Sequence, residues 1–384
     1  MAQQTRYPFN FFAKMPDLAF QNVTQIMETV DLIMLSDCSK RCEIAIRASR
    51  APSAPMKILI SRERIELYLG DKVWLFSTSR QIKNRGGVKT FDFKHLPVKS
   101  NTGNLLETVN HGSEESDFNA VISHILFIIP SATFSDLRLT ENRFSQSSEY
   151  FDCSVALAGI SQIGNLMIGK LAELEREEQK KNAEKNVKFI LENIQFKRIK
   201  DESECRTSEE DWDLRLVQSA STIYFRDANF LKPFENFESF PSNNTMTATL
   251  CKLNFNEQDL LNFLKWFKDV PADRISKFKG IKWQKHGSNI EIPDLSEFNA
   301  KRYNEAVRGR YFPKSYNLCC EYVNTGFIVS SDKCTCCIDT KNGWDIERSD
   351  GLLGTVLKTN MSVLFLVWHE RFPITEGGRS GRRL

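Results

Sequence analysis

The chain has 384 residues, of which 26% are charged and 41% are hydrophobic. These are the proportions of a folded globular protein, and the length favours about two or three domains. They exclude a disulfide-stapled peptide, a wholly disordered chain and a coiled rod.

The charge balance argues against a nucleic-acid-binding protein. Lys and Arg number 52 against 49 Asp and Glu, a net charge of +3. The last residues alone carry this excess, with Arg371, Arg379, Arg382 and Arg383 against Glu376. Proteins that neutralise phosphates carry a basic excess on their folded domains. We therefore expect no nucleic-acid partner.

Neither a secretion signal nor a membrane span is readable. Residues 1–14 lack an apolar run followed by a small-residue cleavage site, and the longest apolar stretch, Val121–Ile129, is too short to cross a bilayer. The ten cysteines are expected to stay thiols. The sequence predicts a protein of the cytoplasm, the nucleus or both, with no membrane partner.

Three short helices are predicted in the first fifty residues. Apolar residues from Leu18 to Val30 recur at helical spacing and form the first helix. A second segment starts at Asp31. Ser39 is a candidate cap for a third helix, which ends before Pro52.

Several features of this stretch share a familiar spacing. They are Met15-Pro16-x-Leu18, an apolar helix ending in Met27, Asp31-Leu32, Leu35-Ser36 and Cys38-Ser-Lys-Arg41 followed by Ile44. Together they resemble an F-box of the nematode kind, at 1–50, with Met15 in place of the usual Leu. The resemblance implies binding to a Skp-type adaptor, which connects the F-box to a cullin scaffold.

A helical unit of this size also needs a cover for its apolar residues, because it buries too little surface to be stable alone. The candidate adaptor-binding residues are Met15, Pro16, Leu18, Val23, Ile26, Met27, Leu32, Leu35 and Ile44. The helical period does not say which of them point outward, and Val23, Met27 and Leu35 could instead face the interior.

The next region, 51–155, is predicted to be rich in β-structure. Gly70-Asp71 between two β-like runs indicates a tight hairpin. Val121–Ile129 could be a buried strand or a helix. The predicted strands are Met56–Ile60, Arg64–Leu69, Lys72–Ser77 and Val88–Phe93.

Residues 156–200 are predicted to be a long helical segment. Apolar residues from Leu157 to Leu174 fall at intervals of three and four, and the densely charged stretch from Glu173 to Lys185 continues the helix as a solvated face.

From residue 201 to 372, short β-like runs alternate with helical ones. The alternation suggests a β/α stack of the leucine-rich-repeat kind, although no consensus repeat is legible. A β-meander with an Asp350-Gly351 hairpin closes this region, and 373–384 is predicted to be a disordered basic tail. The predicted pairs are Thr222–Phe225 with 230–240, Thr247–Leu253 with Asn256–Lys268, and Phe278–Trp283 with 295–307.

Two motifs in this region belong to one family pattern. They are Asp259–Phe267, and Gly343–Gly351 with the closing Val367-Trp368. They resemble the F-box-associated domain (type 2) of nematode F-box proteins. The helix departs from the family pattern at Leu261 and Phe267, whereas the Gly-Trp-Asp-Ile-Glu-Arg-Ser-Asp-Gly stretch matches closely. The resemblance implies a domain that receives a protein substrate; it does not say which residues touch it.

No catalytic signature is present. The five histidines are scattered, and there is no nucleophile elbow or glycine-rich nucleotide turn. Gly164 to Lys170 has Walker A spacing, but Leu171 replaces the residue that must hold Mg²⁺. We therefore expect neither catalytic residues nor a cofactor.

A cysteine cluster leaves one metal alternative open. Its members are Cys319, Cys320, Cys334, Cys336 and Cys337. Structural zinc sites usually pair cysteines two to four residues apart, and adjacent cysteines on a strand point to opposite faces. The spacing is therefore poor for zinc, and buried apolar thiols are the preferred interpretation.

The sequence thus predicts an α+β protein: a three-helix F-box followed by a mixed β-meander and a leucine-rich-repeat-like substrate domain. Its predicted function is the substrate-recognition subunit of a Skp-cullin-F-box ubiquitin ligase, which acts by holding two reactants together and not by catalysis. One alternative is a non-catalytic interaction module without a ligase, whose N-terminal helices pack on its own body. A weaker one is a zinc module at Cys319–Cys337.

Overall fold

The computed structural model shows an α+β protein with three N-terminal helices. The predicted α+β fold class and the three predicted helices are therefore confirmed. It divides into two compact units, Met1–Ile194 and Gln195–Leu384. The structure describes residues 15–49, 55–61, 64–77, 89–100, 105–109, 113–140, 152–169, 177–203, 219–228, 244–252, 256–284, 291–313, 337–359 and 362–372.

The first unit begins with helices α1 (Asp17–Ile26), α2 (Thr29–Cys38) and α3 (Lys40–Ser49). The Ser39 cap is confirmed, because the Cys42 backbone N–H donates to Ser39 Oγ at 3.1 Å. The first helix is shorter than predicted. The extended backbone of Met27 ends it, and α2 starts at Thr29, so that Val30 belongs to α2.

A mixed sheet forms the body of the first unit, with strand order β8-β7-β1-β2-β3-β6-β5-β4. Neighbours β1, β7 and β8 are parallel, as are β3 and β6, and the other pairs are antiparallel. The predicted Gly70-Asp71 hairpin is confirmed, with Gly70 at φ +69°. The strands are β1 (Met56–Ile60), β2 (Arg64–Leu69), β3 (Lys72–Ser77), β4 (Lys89–Phe93), β5 (Leu96–Ser100), β6 (Leu105–Val109), β7 (Phe134–Leu139) and β8 (Gln162–Ile168).

Helix α4 (Glu114–Ile128) resolves the ambiguity over the apolar run that ends at Ile129. Ser113 caps it by accepting a hydrogen bond from the Ser116 backbone N–H at 3.1 Å. The helix buries Phe118 against Phe76 of β3. The other helices of this unit are α5 (Cys153–Ala156) and α6 (Glu177–Asn193).

The predicted helix from Leu157 is wrong in its first part, because Gln162–Ile168 is strand β8. Its buried residues Ile163 and Leu166 are three apart, a helical interval. They keep this spacing because β8 follows β7 residue for residue, and β7 carries a register shift against β1 near Ser135. The helical segment in 156–200 is instead α6, and β9 follows it.

The second unit holds a sheet with strand order β13-β16-β17-β18-β12-β11-β10-β9. Strands β9 to β12 are parallel neighbours in chain order, and the remaining pairs are antiparallel. Strands β14 and β15 form a separate pair. The strands are β9 (Gln195–Asp201), β10 (Thr222–Phe225), β11 (Thr247–Cys251), β12 (Gly280–Gln284), β13 (Lys301–Arg302), β14 (Tyr311–Pro313), β15 (Cys337–Asp339), β16 (Trp344–Glu347), β17 (Leu353–Lys358) and β18 (Ser362–Trp368).

Helix α7 (Glu257–Asp269) covers one face of this sheet and is followed by α8 (Ala272–Ile275). Asn256 and Asp259 form a reciprocal capping box, with bonds of 3.0 and 2.8 Å. The rings of Phe263 and Trp283 lie 4.9 Å apart. The predicted buried stripe is confirmed: Leu260, Phe263, Leu264 and Phe267.

The predicted helix at 295–307 is wrong. A single 3-10 turn, Ser296–Phe298, is ended by Asn299 in the left-handed region at φ +54°. Strand β13 follows at once. The predicted helix at 230–240 and the tail at 373–384 lie outside the described residues.

Candidate functional site

An exposed apolar patch lies on helices α1 and α3. Its members are Leu18, Ile26 and Ile44, with exposed fractions of 70%, 84% and 58%. Only two other large hydrophobic side chains in the described ranges are exposed, Phe127 and Val155. All three patch residues were candidates from the sequence, and Pro16 is exposed as well.

The other candidates lie deeper. Leu32 and Leu35 of α2 are buried in the core of the first unit, which removes them from the candidate surface. Met15, Val23 and Met27 are half-buried. The alternative that Leu35 faces the interior is therefore confirmed, whereas the burial of Leu32 corrects its assignment as a surface candidate.

The three helices are docked on the body of the first unit through a buried polar contact. Ser36 Oγ lies 2.7 Å from His124 Nε2 of α4 and donates to the Ile33 carbonyl at 2.6 Å. Because the hydroxyl hydrogen goes to that carbonyl, His124 Nε2 must be the donor to Ser36. The Phe93 ring packs edge-on against the imidazole, 5.3 Å between centroids.

Three acidic side chains of this module, Glu28, Asp31 and Glu43, pair with lysines. Lys72 Nζ lies 2.9 Å from Glu28 and 3.6 Å from Asp31. Glu43 accepts from Lys40 at 2.8 Å and from Lys94 at 3.3 Å. The Lys40 hydrogen bond is the main reason why the pKa of Glu43 lies below its usual value.

Cations of α3 flank Ile44, the member of the exposed apolar patch on that helix. Lys40, four residues before Ile44, and Arg47, three after it, both lie over the Phe127 ring, at 5.5 and 4.5 Å from its centroid. Arg41 is exposed on the same helix. The outward side of α3 therefore combines an apolar centre with a positive rim.

The His124 contact predicts a pH-dependent stability. Burial holds the pKa of His124 below its usual value, and Lys94 lowers it further. In the unfolded chain this histidine takes up a proton at its ordinary pKa of about 6.5, so the free energy of unfolding should fall as pH drops from about 7 to 5. Urea unfolding at several pH values measures this slope, and His124→Gln should reduce it. An unchanged slope in the variant would contradict the assignment.

In the second unit, the residues of the closing motif are mostly internal. Asp345 is buried and accepts from Thr355 Oγ1 at 2.7 Å, and Trp368 Nε1 donates to the same Thr355 oxygen at 2.8 Å. Gly343 lies so close to Thr355 that an added Cβ would stand 2.5 Å from its methyl group. The spacing of this motif therefore reflects how β16, β17 and β18 pack.

Arg308, which sequence reasoning missed, completes this network. It is fully buried and donates from Nε to both oxygens of Asp345 at 2.9 Å. Its guanidinium lies between the rings of Tyr303 and Trp368, 4.8 and 4.7 Å from their centroids. Further hydrogen bonds reach Thr340 Oγ1, at 2.5 Å, and the Gly309 carbonyl.

A second arginine ties the same motif to helix α7. Arg348 donates to the Phe267 carbonyl and pairs with Asp350 at 2.9 Å. Its hydrogen bonds also help to keep the pKa of Asp350 below its usual value. Asp345, Arg348 and Asp350 therefore support the fold, and the motif does not itself form an open binding site.

Neither a metal centre nor a membrane span is found in the part of the chain that the structure describes. No cluster of three or more His, Cys, Asp or Glu side chains occurs there. Cys319, Cys320, Cys334 and Cys336 lie outside it, and Cys337 begins β15. None of the described helices is long and apolar enough to span a bilayer.

Comparisons of the chain with family models, with curated proteins and with solved structures found no match.

Proposed function

We propose that this protein is a substrate-recognition subunit of a Skp-cullin-F-box ubiquitin ligase. The observation that carries the proposal is the exposed apolar patch on a module of three short helices, at positions where the F-box resemblance puts adaptor contacts. Three large apolar side chains exposed on one small helical module favour burial against a protein partner. The cation rim of α3 limits that partner to one with acidic groups around its apolar site.

The rest of the chain has the organisation expected of a receptor. Parallel strands in chain order, β9 to β12, favour the leucine-rich-repeat-like interpretation, and the antiparallel strands β16 to β18 follow the F-box-associated motif. Such a frame contributes by holding a target near the ubiquitin-charged enzyme. The cytoplasm and the nucleus, where such ligases work, are the proposed locations.

Adaptor binding by full-length protein tests the proposal. Purified Skp-type adaptor should bind the wild-type chain, and Ile26→Asp or Ile44→Asp should weaken binding by about 100-fold, because a charge would be buried in the interface. Titration calorimetry measures the affinity. Val155→Asp is the matched control, since Val155 is an exposed apolar residue of the same unit on α5. It should bind like wild type.

Two outcomes would count against the ligase. One is no adaptor binding by the wild-type chain. The other is equal binding by wild type and Ile26→Asp, which would place the contact elsewhere. Circular dichroism of each variant shows whether it is folded, so that lost binding is not mistaken for lost structure.

The interaction module without a ligase is the second candidate, and the Ser36–His124 contact favours it. This contact docks α2 on α4 within the chain itself, as that alternative requires. It predicts that 15–49 resists proteolysis without any partner and that added adaptor changes nothing. Limited proteolysis with and without adaptor separates the two candidates.

A further inference from the structure

The parallel strands of the second unit present a row of polar side chains away from the α7 core. Side chains alternate along a strand, so Ile199 and Ile223 point to the core while their neighbours point outward. We name as the outward ladder Lys200 (β9), Tyr224 (β10), Cys251 (β11) and Gln284 (β12), all half-buried. Four adjacent strands span roughly 14 Å.

Members of the outward ladder contact one another across the strands. Lys200 Nζ lies 6.0 Å from the centroid of the Tyr224 ring and 2.7 Å from Glu202. A hydrogen bond joins the Tyr224 hydroxyl to Cys251, whose Sγ lies 3.5 Å from Gln284 Oε1. Burial is the main cause of the raised pKa of Tyr224, followed by Cys251 and Glu202. The row is thus ordered and only partly open to solvent.

The charge on this outward face is strongly one-sided. Among its described outward positions, the half-buried cations are Arg198, Lys200 and Arg226, Lys282 is buried, and Glu202 is the one carboxylate. The chain as a whole is nearly balanced, so this excess is local. Lysine and arginine at a half-buried surface favour carboxylates or phosphates, whose charge-assisted hydrogen bonds are the strong ones.

From this arrangement we infer that the outward ladder docks an acidic, extended segment of a protein partner. The segment crosses β9 to β12, its anionic side chains meet Arg198, Lys200 and Arg226, and Tyr224 offers an apolar ring beside them. The inference rests on the proposed function only in naming that partner a ligase substrate. Carboxylate and phosphate groups are the two anions that fit.

Binding of defined peptides to the full chain tests this inference. The first probe is a fluorescein-labelled peptide of alternating glutamate and serine. The other probes are the same peptide with phosphoserine in place of serine, the same peptide with glutamine in place of glutamate, and a single-stranded RNA. We expect the anionic peptides to bind at least about tenfold more tightly than the glutamine peptide, and salt to weaken them. Comparison of glutamate with phosphoserine shows which anion is preferred.

Charge reversal locates the site. Arg198→Glu with Lys200→Glu should weaken anionic-peptide binding by about tenfold or more. The matched control is Lys301→Glu with Lys341→Glu, which makes the same change of charge at two exposed residues of the second unit outside β9 to β12. It should stay within about twofold of wild type.

The Cys251 thiol gives a second readout, free of any mutation. Bound peptide should slow its alkylation by iodoacetamide in peptide mapping, while Cys38, an exposed thiol of the first unit, should react unchanged. Any of three results overturns the inference: the control pair weakens peptide binding as much as the test pair, bound peptide does not slow the alkylation of Cys251, or RNA binds more tightly than the anionic peptides. Adaptor binding without peptide binding refutes the inference alone, and peptide binding without adaptor refutes the ligase alone.

Discussion

Replacement of Arg308 by methionine should lower the free energy of unfolding of the second unit by about 3–5 kcal/mol. The change leaves the buried carboxylate of Asp345 without its two 2.9 Å hydrogen bonds from Nε. A buried charge that loses its partner keeps its full desolvation cost, which makes this loss much larger than that of a surface pair. The same variant also removes the cation between Tyr303 and Trp368.

Urea unfolding measures the change, and hydrogen exchange locates it. We expect lost protection in the amides of β16, β17 and β18. Arg310→Met is the matched control, because Arg310 lies two residues away and forms an exposed ion pair with Asp339. A much smaller effect is expected there, since water screens that pair. Comparable losses in both variants would show that burial of Arg308 does not set its contribution.

The second large effect concerns the N-terminal helices. Leu32→Ala should cost about 2–5 kcal/mol, because Leu32 is fully buried and its truncation leaves a cavity. Ile26→Ala should change stability by less than about 0.5 kcal/mol, since 84% of Ile26 is exposed.

Both variants remove part of a large apolar side chain from one three-helix module, so the comparison isolates burial. Urea unfolding gives the stabilities, and adaptor titration gives the binding. Leu32→Ala should lower the free energy of unfolding, whereas Ile26→Ala should weaken only adaptor binding. A destabilising Ile26→Ala variant would mean that the exposed apolar patch is already covered within the chain.

Features set by local signals could be predicted from the sequence. Ser39 and Asn256 cap helices because their side chains are the nearest acceptors for the first free N–H groups. Gly70 adopts the positive φ that the two-residue hairpin requires. These interactions involve residues within a few positions of each other, so a single sequence contains the information.

Features set by distant contacts could not be predicted in this way. Strand β8 has the apolar spacing of a helix because its pairing with β7 sets which of its residues are buried. The two strands lie so close at Gly164 that an added Cβ there would stand 2.6 Å from the Ser135 carbonyl oxygen. Arg308 gave no signal, because its partner Asp345 is 37 positions away. The helical period did not exclude Leu32 from the candidate surface for the same reason: its burial depends on tertiary packing that periodicity does not report.

The bond between Ser36 and His124 means that the N-terminal helices are not a transferable cassette. Grafted onto an unrelated protein, they would lose the His124 side chain that donates to Ser36 and the lysines that pair with Glu28 and Glu43. Fusion proteins that carry this module should therefore retain the whole first unit, because β7 and β8 complete the sheet beside β1.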